Sequence, residues 1–146
     1  MSPPSSWGMT PRESIERECE WRGRDAVVTG CIDLLEDREV EPELIIALGG
    51  PPARRAVDGV GGPGYWLRVW AARGLLWAWD DRAATALVAA LGDEAWRVRE
   101  MAAKVAARHL VGDALVPLQA LQQEDPIPRV RAAAERAATR IIAASA

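Results

Sequence analysis

The chain has 146 residues, enough for a single domain with a real buried core, and 49% of them are apolar, mostly Ala, Leu and Val. Strong helix formers dominate, while β-branched clusters and two-residue alternation are scarce, so the expected class is all-α. The net charge is −3, with 7 basic and 12 acidic residues in 1–64 and 11 basic and 9 acidic in 65–146, which is no basic footprint for nucleic acid.

No signal peptide or apolar run of membrane-span length stands out, so a cytoplasmic location is expected and no membrane contact. "MSPPSSWGM", residues 1–9, reads as a polar leader. "TPRESIERECEWRG" then carries its own punctuation: Thr10 as N-cap, Pro11 in the first turn, Glu13 completing a capping box, and Gly23 as the stop. "RDAVVTGCIDLLEDRE" places Val27, Val28, Cys31, Ile32 and Leu35 at helical spacing. "EPELIIALGG" and "PPARRAVDG" are two short helices, and "VGGPG" is a loop. Helices are expected next at 64–79, 81–91, 94–109, 113–123 and 127–143, joined by short turns that favour antiparallel neighbours. Cys19 and Cys31 lie in separate helices without metal-binding spacing, and read as small buried apolar residues.

Internal repetition organises the second half. "GDEAWRVREMAAKVAARHL" sets Asp93, Arg97, Val98, Arg99 and His109 against Asp125, Arg129, Val130, Arg131 and Ile141 of "EDPIPRVRAAAERAATRII", all at an offset of 32 residues. Arg68-Val69 aligns with Arg97-Val98 at an offset of 29, as a third and weaker copy. These residues resemble the HEAT-repeat family: a Leu-rich A helix, a turn bearing Asp, and a B helix that opens with Val-Arg and continues through small Ala positions. The resemblance is close over 81–143 and extends to 51–80. It implies a right-handed α-solenoid of antiparallel helix pairs, about nine helices in all, with repeats at about 51–80, 81–112 and 113–143 behind a helical cap or degenerate repeat at 10–50. It also implies an Asp–Arg ladder of Asp93, Arg99, Asp125 and Arg131, each Asp meeting its own B-helix amides or an Arg of its own or the adjacent repeat. In the first copy Gly64 replaces the Asp and Trp70 the second Arg, so the ladder cannot extend there.

The tryptophans are the main site signal. On a helix over 64–79, Trp66, Trp70, Arg73 and Trp77 share one stripe, opposite Val69, Ala72, Leu75, Leu76 and Trp79. Trp79 is expected in the core. The stripe either packs against the N-terminal cap or forms a binding surface, with Trp70 nearer the groove and Trp96 and Arg97 extending it.

No catalytic set is assembled. His109 is the only histidine and aligns with Ile141, which suits a partly buried structural role. No phosphate loop, metal cluster or Ser-His-acid set is found, and no cofactor is expected. One enzyme reading rests on resemblance alone: the HEAT-like alkylpurine DNA glycosylases line a basic groove with Trp and Asp, to which Trp66, Trp70, Trp77, Asp80 and Asp81 are similar, in a chain that is shorter and acidic. The expected function is a small HEAT-repeat adaptor or scaffold that binds a protein or peptide partner on its concave B-helix surface, mainly as a monomer. A DNA-binding or DNA-repair module is the alternative.

Overall fold

Ala, Leu and Arg favour helix at most positions, and in the computed structural model the described residues, 8–59 and 64–146, form nine α-helices and no strand. Residues 1–7 of the expected leader and 60–63 of the expected loop lie outside the described residues. The chain divides into two compact units, the first ending at Ala83 and the second running Ala84–Ala146. The expected repeat at 51–80 therefore falls in the first unit, and the two clearer copies make up nearly all of the second.

The first unit holds α1 (Pro11–Arg22), α2 (Arg24–Leu35), α3 (Pro42–Gly49), α4 (Pro51–Val57) and α5 (Tyr65–Gly74). Helix α1 starts where its capping box requires. The Glu13 amide donates to Thr10 Oγ1 at 3.1 Å, and the Thr10 amide donates to Glu13 Oε1 at 3.1 Å. These two bonds hold the Glu13 carboxyl below its ordinary value. Prolines open α3 and α4, where a missing amide costs nothing. Helix α1 packs on α2 and α3, α2 on α5, and α3 on α4 and α5. Ile15, Val27, Val28, Cys31, Leu48 and Leu75 are fully enclosed between them.

Helix α5 stops five residues short of the expected 79. After Gly74 the chain tightens, with the Leu75, Leu76 and Trp77 amides donating to carbonyls three residues back. Gly74 is needed there for space. A Cβ on it would lie 2.7 Å from Leu48 Cδ2 and 2.8 Å from Cys31 Sγ. Trp77 and Trp79 thus follow the helix rather than ride on it.

The second unit holds α6 (Ala84–Ala90), α7 (Trp96–His109), α8 (Leu115–Glu124) and α9 (Pro128–Ser145). Single 3-10 turns, Asp81–Ala83 and Gly112–Ala114, precede α6 and α8 where helix was expected to begin at once. Helix α7 packs on α6 and α9, and α8 on α9. Leu87, Val98, Val105, Leu118 and Val130 fill the interior, each stabilising the fold by about 1.5–3 kcal/mol. Ala102, Ala106, Ala133, Ala134 and Ala137, all buried, let the helices approach closely. Helix α7 ends on Leu110 in the left-handed region (φ 52°), a cap that glycine usually supplies.

Candidate functional site

The matched turns of the second unit repeat in bonding as well as in sequence. Asp93 Oδ1 accepts from the Ala95 amide at 2.8 Å, and Asp125 Oδ1 accepts from the Ile127 amide at 2.9 Å. Arg99 Nη1 donates to the Asp93 carbonyl at 2.8 Å, and Arg131 Nη1 to the Asp125 carbonyl at 2.6 Å. Each Arg therefore clamps the turn that starts its own helix. Arg99 does more: its Nε and Nη2 reach the carboxylate of Asp125 in the next turn at 2.7 and 3.3 Å. This forked pair is almost enclosed, with side-chain exposures of 13% and 2%. Burial pushes the Asp125 carboxyl up, but the Arg99 bonds, the Ile127 amide and the Arg99 and Arg131 charges outweigh it and hold it below its ordinary value.

At the start of α7, Trp96 is half-buried and carries two guanidinium groups. Arg97 Cζ lies 4.5 Å from its ring centre and Arg129 Cζ lies 5.2 Å away. Arg129 also forks onto Glu100 at 2.9 and 3.1 Å. The sequence reading missed Glu100 and Arg129. The available signal was that Arg129 occupies the repeat position of Arg97.

In the first unit the stripe is split by burial. Trp70 is 7% exposed and belongs to the core, against the expectation that it lies near a groove. The cause is Gly49, at the end of α3: a Cβ there would lie 2.6 Å from Trp70 Cδ2 and 2.6 Å from the Ala53 Cβ. The indole fills the space that the missing side chain leaves. Trp66 stacks on Trp70, with ring centres 6.3 Å apart and planes at 28°, and stays half-buried, as does Trp77. Trp79, expected as core, is also only half-buried. It stands beyond the end of α5 and donates from Nε1 to Asp81 Oδ1 at 3.1 Å.

Arg73 is drawn inward. Its Nη2 donates to the Leu48 carbonyl at 2.9 Å, and its Nε is enclosed with no acceptor. Desolvation pulls its pKa below the ordinary arginine value.

Asp80 and Asp81, the two acids of the glycosylase resemblance, are exposed and engaged locally, Asp80 Oδ1 accepting from the Arg82 amide at 2.9 Å. Arg82 in turn reaches Asp25 and Thr29 of α2. His109 is half-buried in the last turn of α7. Cys31 is enclosed and Cys19 half-buried; burial raises both thiols above their ordinary value, which disfavours the reactive thiolate. Among the described residues no cluster of three or more His, Cys, Asp or Glu could hold a metal, and no helix is long and apolar enough to cross a membrane.

An open cleft of about 580 Å³ in the first unit, absent from the sequence reading, is lined by Arg22, Thr29, Asp33, Glu39, Glu41 and Leu44 among others. Its cation is paired with two carboxylates, Glu18 at 2.8 Å and Glu41 at 2.9 Å, although Arg22 Nη2 is enclosed without an acceptor. In comparisons with known proteins, no family model, curated protein or solved structure matches the chain.

Proposed function

We propose that this chain is a small HEAT-like adaptor that binds a protein or peptide partner through half-buried indoles on its B-type helices or in the turn that follows one of them. The observation that carries the reading is the state of these rings. Trp66 and Trp77 in the first unit, and Trp96 in the second, keep part of their surface open although the core has room for Trp70. Trp offers a large contact area with few rotamers to freeze, which suits a binding anchor. The repeat reading is supported by the duplicated turn bonds at Asp93 and Asp125 and by the packing of α7 and α8 against α9.

The test compares the full chain with its Trp66→Ala, Trp77→Ala and Trp96→Ala variants in cross-linking from native extract. At least one variant should lose about 2 kcal/mol of partner binding, more than tenfold, while melting near the parent temperature. A partner held equally by all three variants overturns the reading. The DNA-binding alternative draws on Trp96 and its two arginines. It predicts a salt-sensitive complex with duplex DNA that Trp96→Ala weakens.

A further inference from the structure

Several half-buried arginines in this protein end on carboxylates, and Arg131, held by the Asp125 carbonyl, has the Asp125 charge beside it. Arg22 meets Glu18 and Glu41, Arg68 meets Asp37, and Arg99 meets Asp125. The more exposed Arg82 and Arg129 do the same with Asp25 and Glu100. Arg73 does not. It has one backbone carbonyl for one of its nitrogens, an enclosed Nε without an acceptor, and no carboxylate partner among the described residues. The stretches outside the described residues, 1–7 and 60–63, contain no Asp or Glu. A guanidinium taken this far out of water without a counter-ion is unfavourable unless something else supplies the charge. Arg73 sits on the same stripe of α5 as Trp66, two turns earlier, and Trp77 follows in the turn that ends the helix.

We propose that Arg73 is a carboxylate-binding site, and that the partner brings an Asp, a Glu or a C-terminal carboxylate to it from an apolar segment that also covers Trp66. This rests on the peptide-binding reading above and names the chemistry of the partner. A carboxylate fits better than a phosphate. With Nε enclosed and Nη2 on the Leu48 carbonyl, Nη1 is left for a single charge-assisted bond, and residues 1–83, with 10 basic and 14 acidic side chains, repel a more highly charged group.

The test needs no partner. The Arg73 Nε–Hε resonance of the full chain is followed by NMR during titration with sodium acetate, against sodium chloride and phosphate at equal ionic strength. Acetate should produce a saturable shift, with a dissociation constant on the order of 10–100 mM, the scale of one charge-assisted contact. Chloride should not produce it, and phosphate should act more weakly. Arg73→Lys should weaken binding severalfold and Arg73→Met should abolish the response, read on neighbouring amides. If Arg73→Met does not fold, the wild-type titrations decide. Overturning results are no saturable acetate shift, the same shift with chloride, or a stronger response to phosphate, which would point to nucleic acid instead. An absent acetate response with partner binding still lost in Trp66→Ala refutes this site alone. An acetate response with partner binding intact in every Trp variant refutes the Trp anchor instead.

Discussion

Trp70 and Gly49 are complementary halves of one contact, and each sets the cost of changing the other. Removing the indole in Trp70→Ala leaves a cavity against α3 and should cost about 3–5 kcal/mol, the range for large aromatic truncations. Trp79→Ala removes a half-buried ring with a surface hydrogen bond and should cost clearly less, the reverse of what the helical wheel over 64–79 implies. Gly49→Ala forces a methyl to 2.6 Å from both the indole and Ala53, so it should destabilise strongly on its own. In a Trp70→Leu background its cost should fall, because one of the two clashing groups is gone. Thermal or urea unfolding of these variants, with Trp70→Leu alone as the reference for the double change, checks these orders. Equal losses for Trp70→Ala and Trp79→Ala would refute the assignment of Trp70 as the core ring.

Between elements, the decisive contact of the second unit is the Arg99–Asp125 fork. It ties α7 to the turn between α8 and α9, while Arg129–Glu100 ties α9 back to α7. Removing one partner of an enclosed pair strands the other, so Asp125→Ala should cost about 3 kcal/mol, and a double-mutant cycle with Arg99→Ala should show positive coupling. The pair also makes stability depend on pH. The Asp125 carboxyl titrates lower folded than unfolded, so its contribution is complete above the unfolded value near pH 4 and is lost as pH falls through the folded value. The parent should therefore lose stability below about pH 4 more steeply than Asp125→Asn, measured as unfolding midpoints from pH 6 to pH 2.5. Parallel profiles would refute the role of Asp125. Contacts of this kind divide into legible and illegible ones on physical grounds. The capping box of α1 and the turn bonds of Asp93 and Asp125 are short-range, so residue spacing announces them. The partner of the Asp125 carboxylate was left open between its own and the adjacent repeat, because both arginines are within reach. The burial of Trp70 and the inward turn of Arg73 depend on a glycine and a carbonyl at the end of α3, more than twenty residues away in sequence, and no local pattern records such a meeting. The early end of α5 has the same cause, since Gly74 is placed by Leu48 and Cys31 rather than by its neighbours.

At the scale of the whole chain, charge decides between partner classes. Residues 1–83 carry 10 basic and 14 acidic side chains, net −4, and residues 84–146 carry 8 and 7, net +1. Such a balance gives little net attraction to a phosphate backbone, whose affinity depends on releasing many counter-ions at once. The side-chain pairing sharpens the point. Arg99 is committed to Asp125, Arg129 to Glu100, Arg82 to Asp25 and Arg38 to Asp33, so much of the arginine content is neutralised within the protein. The Trp96 group, where stacking on a base would be most natural, has one of its two guanidiniums held by Glu100. Duplex DNA should therefore bind no more tightly than about 10⁻⁵ M at physiological salt, within the range of non-specific contact. A gel shift at sub-micromolar protein that weakens steeply with salt, or release of a methylated base from alkylated DNA, would overturn both this prediction and the adaptor reading. Weak binding that Trp96→Ala leaves unchanged would fit a surface whose arginines are already paired.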